Sequence, residues 1–294
     1  MVSADATAPA LDPAVVGRAY RSLAPLHDHV YFVPETEQHL TAVGLRPGRM
    51  VYFAGRAAPM GAVGPGVVTA TFSNFSPAIV ARHVPRAWTL ATPEQVVAAR
   101  LTAARASLTR LLGGEEAAAA PEVAELADLL AEACSVLPAE GRPLYAGHAD
   151  LPWPEDPVGR LWHAATLLRE WRGDGHVAVL VRADLSGLEA LLTHTATGRG
   201  FSPAAAKATR GWTDEEWDAG LARLAARGLL DGEQLTDAGR RLRADVEAET
   251  DALSTAPWAH LGPERTGRVV ELGKRLSTAV VGNGAYPSGV LAGR

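Results

Sequence analysis

The sequence predicts a mostly α-helical fold of two tandem winged-helix-like repeats with small β-wings, related by a pseudo-twofold axis. The first observation is an internal repeat: a shift of 126 positions places residues 46–78 on residues 172–204 without a gap, with 12 identical pairs. The second is a run of helical periodicity and capping signals along most of the chain. Two copies of one domain-sized unit usually pack as an isologous dimer does, which leaves a cleft between them.

The first copy has its helix boundaries marked by proline, glycine and capping residues. Asp12 and Pro13 open a helix that is predicted to run to about residue 29. Thr92 and Gln95 form a capping box ahead of a long helix to residue 112. Between these, Gly and Pro punctuation predicts helices over residues 34–43, 49–57, 67–72 and 77–85.

The second copy follows a low-complexity segment, residues 114–121, that we interpret as a linker between repeats spanning 1–113 and 122–260. Helices are predicted over residues 121–137 and 158–171. Gly173 and Gly175 are expected to break the chain after the second of these helices. A capping box at Thr213 opens a helix that ends near Gly228, followed by two strand stubs around a tight turn. Residues 261–294 complete the chain as a C-terminal helix, predicted over 267–280, and a tail.

The bulk composition excludes several classes of protein. The net charge of −5 argues against broad attraction to nucleic acid or anionic lipid, and no apolar run approaches the ~20 residues of a membrane span. A single cysteine, Cys134, excludes an internal disulfide, and the first residues lack a signal-peptide pattern. We therefore expect a cytoplasmic protein whose oligomeric state and cofactor stay open.

The pattern from Leu224 through Gly228 and on to Gly239 resembles MarR-like winged helices. The whole chain, over about residues 12 to 260, resembles an actinobacterial family of helix-turn-helix proteins of unknown function. The segments that carry this resemblance are His27 to Phe32, Tyr52 to Gly61, Phe75 to Pro77, Leu161 to Ala165 and Leu168 to His176. The resemblance implies a helix-turn-helix scaffold but no activity.

DNA binding is disfavoured by the charge of the expected recognition helix. Such a helix presents its N-terminal residues to base edges and phosphates. Here those residues are Asp214, Glu215, Glu216 and Asp218. Arg223 and Arg227 lie further along the helix, where a solvated face is the alternative interpretation.

Candidate catalytic residues are His27, Asp174 and His176. Asp174 and His176 occur in the second copy only, where an Asp-x-His pair at a helix break could perform acid–base chemistry. The alternative is a turn in which Asp174 caps the helix that starts near His176. On an apolar helix face, His27 is either a hydrogen-bonded core residue or, together with His176 and His163, a ligand to a metal or a haem iron. No recognised metal-ligand spacing is present.

Candidate ligand-binding residues are those that could hold a negative group, or that could line the cleft with a side chain present in one copy of the repeat only. The matched Arg56 and Arg182 lie inside apolar runs, so each needs an anionic ligand or an ion pair. The full set of binding candidates is Tyr31, Arg56, Asn74, His163 and Arg172.

These features lead to three functional hypotheses. The first is a protein that binds a small molecule in the cleft between the repeats, including an enzyme of specialised metabolism with acid–base residues there. The second is a ligand-responsive, MarR-like transcriptional regulator that binds DNA. The third is a scaffold or interaction protein, which would have a large exposed apolar patch and no closed polar pocket.

Overall fold

The computed structural model describes residues 13–198 and 200–287, and this part of the chain is mostly helical. It contains fifteen α-helices and one two-stranded sheet. The mostly α fold expected from the sequence is therefore confirmed, and Asp12, the expected start signal of the first helix, lies outside the described residues.

A central bundle forms the largest hydrophobic core. Its four main helices are α1 (Pro13–Asp28), α8 (Pro121–Cys134), α10 (Pro157–Arg182) and α15 (Ala256–Gly282). Trp258, Leu26 and Leu130 lie fully buried in this core. The bundle takes residues from both sides of segment 114–121, which contains the short helix α7 (Glu115–Ala118).

An N-terminal lobe packs against one side of the bundle. Its helices are α2 (Pro34–Ala42), α3 (Arg49–Ala57), α4 (Pro65–Phe72), α5 (Pro77–Ala87) and α6 (Pro93–Leu112), and α9 (Pro143–Ala149) packs beside them. The side chain of Thr92 accepts from the backbone N–H of Gln95, which closes the expected capping box of α6. Two small cores, one around Met50 and one around Phe53, hold the lobe together.

A C-terminal lobe follows α10. It consists of α11 (Gly187–Thr195), α12 (Pro203–Arg210), α13 (Asp214–Ala226), β1 (Leu230–Asp231), β2 (Gln234–Leu235) and α14 (Asp237–Ala252). The strands form the antiparallel hairpin that the sequence predicts, with Gly232 at positive φ in its turn. Trp217 and Leu224 bury the inner face of α13.

Two sequence-based predictions about the repeats are wrong. The first copy has no hairpin within the described residues, because α6 continues without a break to Leu112. Of the small β-wings that the sequence predicts, only the hairpin of the second copy is present in this part of the chain. The second error is the helix break at Gly173 and Gly175, since α10 runs through both residues to Arg182. The glycines instead leave room for neighbouring arginine side chains to pack against α10. A Cβ at Gly175 would lie 2.7 Å from the guanidinium of Arg142.

The two lobes contact each other directly through the turn after α4 and the end of α12. The backbone N–H of Ser76 donates to the carbonyl of Arg210 at 2.9 Å, and the indole of Trp212 donates to the carbonyl of Asn74 at 3.0 Å. Gly187 leaves no room for a side chain, since a Cβ there would lie 1.9 Å from the carbonyl oxygen of Ser73. These contacts close the space between the lobes on one side.

Candidate functional site

A cavity of about 820 Å³ lies between the N-terminal lobe, the bundle and α12. Helices α1, α2 and α3 supply most of its wall, and α6, α10 and α12 complete it. Five tyrosine and phenylalanine side chains line it: Tyr31, Phe32, Tyr52, Phe75 and Phe201. We call it the arginine cavity, because five arginines also line it: Arg49, Arg56, Arg100, Arg169 and Arg210.

The charge of the arginine cavity is positive. Its lining contains two carboxylates, Asp28 and Glu37, against the five arginines. Glu37 already accepts a hydrogen bond from the backbone N–H of Gly48 at 2.9 Å, and Asp28 accepts one from the hydroxyl of Tyr286. A concave, partly apolar site with an excess of one charge concentrates ligands of the opposite charge.

Arg56 is held by a buried ion pair at the inner wall of the cavity. Its guanidinium binds both carboxylate oxygens of Glu170, at 3.0 and 2.8 Å, and lies 4.4 Å above the ring of Phe72. Arg169 contacts the same carboxylate at 2.6 Å. Burial alone would raise the pKa of Glu170, but Arg169 and Arg56 hold that pKa well below its usual value. One carboxylate thus faces two cations, which leaves a surplus of positive charge.

Arg100 is a buried cation without a carboxylate partner among the described residues. Only 3 % of its surface is exposed, and its guanidinium donates to the imidazole of His148 at 3.0 Å and to the hydroxyl of Tyr31 at 3.2 Å. The guanidinium also lies 5.0 Å above the ring of Trp162. All of these partners are neutral, so the positive charge of Arg100 is not balanced by a direct ion pair.

Arg210 is a second arginine without an ion pair in the described chain. Its guanidinium lies between the rings of Phe75 and Phe201, at 4.8 and 4.7 Å, and its buried Nε has no hydrogen-bond partner. Burial lowers the pKa of Arg210, and the positive charges of Arg49 and Arg56 lower it further. The field in this region therefore opposes additional positive charge.

His27 and Tyr31, two of the expected site residues, meet at the wall of the arginine cavity. The imidazole Nε2 lies 3.1 Å from the hydroxyl of Tyr31, and Nδ1 lies 2.9 Å from the hydroxyl of Thr166. Burial holds the pKa of His27 well below 6.5, so the ring is neutral. With Arg56, three residues of the expected set therefore line one cavity.

A second cavity of about 880 Å³ lies between α1, α10, α14 and the base of the hairpin. It shares Ala24, His27 and Arg169 with the arginine cavity and contains the expected residues Arg172 and His176. Arg172 is paired with Asp251 and Glu247, at 2.8 and 3.3 Å. Since its charge is already balanced, Arg172 is a weaker anion ligand than Arg100.

The expected acid–base pair of Asp174 and His176 does not form. The carboxylate of Asp174 accepts from the backbone N–H groups of Leu144 and Tyr145, at 3.0 and 2.9 Å, and so caps α9. The imidazole of His176 bonds the hydroxyl of Thr250 on α14 at 2.9 Å. Because α10 is continuous here, the alternative in which Asp174 caps a helix starting near His176 is also wrong. Burial raises the pKa of Asp174 to about 6.

Asn74, His163 and the matched Arg182 lie outside both cavities. Asn74 contributes its carbonyl to the contact between the lobes. His163 packs edge-on against Trp153 at 4.8 Å, and burial lowers its pKa to about 4. Arg182 is exposed and pairs with Glu249, unlike its counterpart Arg56, because α10 presents it to solvent at its C-terminal end.

Sequence reasoning missed Arg100, Arg169, Glu170 and Arg210 as site residues. Arg100 had a usable signal, because it follows Val96 and precedes Ala103 and Ala104 on the apolar face of α6. An arginine on a buried helix face requires a partner or a ligand. Arg210 and Phe201 had no such signal, since they reach the cavity only through the packing of the two lobes.

The outer face of α13 is acidic. Its first-turn side chains Asp214, Glu215 and Glu216 are exposed, and Arg223 pairs with Glu189 at 3.2 Å. The hairpin turn adds exposed Asp231 and Glu233. Recognition helices contact DNA with the residues at their N-terminal end, where this helix has only negative charge.

No cluster of three or more metal-ligating side chains occurs within residues 13–198 and 200–287. Over the same part of the chain, no helix has both the length and the hydropathy needed to span a bilayer. A family model described as a helix-turn-helix family matches residues 16–287. Neither the curated proteins nor the solved structures contain a match to the chain.

Proposed function

This chain belongs to that helix-turn-helix family, and we propose that it uses the scaffold to bind a small anionic molecule in the arginine cavity. The observation that supports this proposal most directly is Arg100, a buried cation whose hydrogen-bond partners are neutral. A buried charge is costly unless an opposite charge accompanies it. The negative group of a ligand would provide that charge.

The size and the lining of the cavity agree with this proposal. Sites for small molecules and cofactors usually enclose about 300–1,000 Å³, and their walls combine apolar and aromatic side chains with a few polar groups. The arginine cavity has this composition, with aromatic rings from both lobes and Arg100 at its inner wall. An anionic ligand with a planar apolar part fits both features, because guanidinium groups bind carboxylates bidentately.

The lobes support a further proposal, that two winged-helix-like repeats arose from an internal duplication. Helices α5 and α12 start at Pro77 and Pro203, which are 126 positions apart, as in the sequence repeat. Both helices begin at the proline of a Phe-Ser-Pro tripeptide. In this arrangement the arginine cavity lies between the two copies, where the repeat predicts a ligand site.

Binding is tested with benzoate and its neutral isostere benzamide. Benzoate should raise the thermal midpoint in proportion to the logarithm of its concentration, whereas benzamide should leave it unchanged. Arg100→Gln should weaken benzoate binding at least tenfold. Arg105→Gln is the matched control, since Arg105 lies on the same helix, is part-exposed and pairs with Asp156. Equal effects of benzoate and benzamide, or equal losses in the two variants, would contradict the proposal.

DNA binding is the second candidate function. The order α12, α13 and hairpin is that of a winged helix-turn-helix unit, which favours this candidate, while the acidic start of α13 opposes it. A titration of duplex DNA at two salt concentrations tests whether the protein binds DNA. Affinity that falls steeply with salt would establish phosphate contacts and contradict the interpretation that the acidic start of α13 disfavours DNA binding.

A further inference from the structure

Hydrogen bonds around His27 determine which of its nitrogens holds the proton. The hydroxyl of Thr166 donates to the carbonyl of Trp162 at 2.8 Å, so it has no proton left for His27. At 2.9 Å from that hydroxyl, Nδ1 of His27 must therefore be the donor. A neutral imidazole has one donor and one acceptor nitrogen, so Nε2 is the acceptor.

The hydroxyl of Tyr31 is consequently a donor to His27. It lies 3.1 Å from Nε2 and has one proton, which that hydrogen bond uses. The oxygen of Tyr31 also accepts a hydrogen bond from Arg100 at 3.2 Å. A phenolic oxygen can accept a further hydrogen bond, and Tyr31 lines the arginine cavity. Towards a ligand, the hydroxyl of Tyr31 therefore acts as an acceptor.

We propose that the arginine cavity selects an aromatic 2-hydroxycarboxylate, whose carboxylate binds Arg100 and whose hydroxyl donates to Tyr31. This inference rests on the proposed function and adds the class of ligand to it. The acceptor and the cation are adjacent, since the oxygen of Tyr31 and the guanidinium of Arg100 are 3.2 Å apart. A 2-hydroxycarboxylate reaches both groups, because its hydroxyl is on the carbon next to its carboxylate.

The aromatic part of the ligand follows from the remaining wall of the cavity. Beside Tyr31, the ring of Tyr52 lies 5.2 Å away, and Phe75 lies 5.3 Å beyond it. A ligand ring that extends from the hydroxyl-bearing carbon would face these side chains, which favour aromatic partners in tilted or edge-on geometry. His27 has no contact with the ligand in this arrangement and is a positioning residue.

The test compares mandelate with two analogues, phenylacetate, which lacks the hydroxyl, and 2-methoxy-2-phenylacetate, which has an acceptor in its place. Titration calorimetry of the full chain should show mandelate binding about five- to tenfold more tightly than phenylacetate, because one buried hydrogen bond is lost. The methoxy compound should bind no better than phenylacetate, since its oxygen would face the oxygen of Tyr31.

Variants identify the residues responsible. Tyr31→Phe should bind all three compounds within about twofold of one another, whereas Tyr52→Phe, which removes a hydroxyl from the same cavity, should keep the preference. In His27→Leu, the hydroxyl of Tyr31 no longer donates to an imidazole and can donate to a ligand. The methoxy compound, whose oxygen is an acceptor, should therefore bind more tightly relative to phenylacetate than it does in the wild-type protein. Histidine ¹⁵N NMR of the unliganded wild-type protein provides a readout that is independent of variant folding, and it should show His27 protonated at Nδ1.

The outcomes separate the inference from the proposed function. Benzoate binding without a preference for mandelate, or an Nε2-protonated His27, would overturn the inference and leave the proposed function intact. If neither benzoate nor mandelate binds, both are wrong. A mandelate preference that survives in Tyr31→Phe would also contradict the assignment.

Discussion

Replacing Glu170 with glutamine removes the one carboxylate that balances Arg56 and Arg169. The carboxylate is fully buried and is bound bidentately by Arg56, which is itself buried. Breaking one side of a buried ion pair costs about 3–5 kcal/mol, because the other charge stays in a poorly solvated site. Since domains are stable by only about 5–15 kcal/mol, Glu170→Gln should remove a large part of the total stability.

The double variant Arg56→Met/Glu170→Leu separates an unpaired charge from lost packing. It replaces the buried pair by apolar side chains, and the side chain of Arg169 is 41 % exposed and can turn to solvent. Such replacements of a buried pair are often neutral or stabilising. The double variant should therefore recover most of the stability that Glu170→Gln loses.

Urea denaturation of the three proteins measures these free energies at pH 7, with the slope of the transition as a check on two-state behaviour. Benzoate at a fixed concentration should stabilise Glu170→Gln more than the wild-type protein, because the cavity of that variant has an additional uncompensated cation. A loss below about 1 kcal/mol in Glu170→Gln, or a double variant as unstable as the single one, would show that Glu170 does not balance a buried charge on Arg56.

Three further predictions concern the remaining structure. Asp174→Ala should destabilise the protein by about 1–2 kcal/mol in urea denaturation, because α9 loses its cap. The same variant should leave benzoate affinity unchanged, and a tenfold loss of affinity would show instead that Asp174 contributes to the binding site. Gly187→Ala should lower the stability of the protein by about 1–3 kcal/mol through its clash with Ser73. Gly267→Ala in α15, where a Cβ meets nothing within 4 Å, should raise the stability by about 0.5–1 kcal/mol. Equal thermal midpoints for the two variants would be inconsistent with tight packing between the lobes. Stability should be full above about pH 6.5 and fall as the pH drops towards 4, since burial lowers the pKa values of six histidines and the unfolded chain binds more protons there, with Asp174 offsetting about one of them. Urea midpoints that stay constant from pH 7 to pH 5 would contradict this. The six histidines are His27, His29, His83, His148, His163 and His176.

Local signals predicted most helices well, because the residues that end or start a helix act over one turn. The capping boxes at Thr92 and Thr213 both form, and the hairpin after α13 is present at the expected position. The break expected at Gly173 and Gly175 failed for a tertiary reason. Packing of Arg142 against α10 favours glycine there, while the surrounding bundle keeps the helix intact.

The candidate site could be predicted only in part. His27, Tyr31 and Arg56 lie on short apolar segments whose polar residues stand out, and the structure brings them to one cavity. Asp174 stood out for the same reason and serves as a helix cap instead, because a local pattern does not show which element packs against it. Residues of α12 join the cavity through contacts between segments more than a hundred positions apart.

The most direct test of ligand binding in the arginine cavity is a crystal structure of the protein with 4-bromobenzoate, in which anomalous scattering locates the bromine. The carboxylate should lie within about 3 Å of the guanidinium of Arg100, with the ring among the aromatic side chains of the arginine cavity. A ligand bound in the second cavity or on the surface, with the arginine cavity empty, would contradict it.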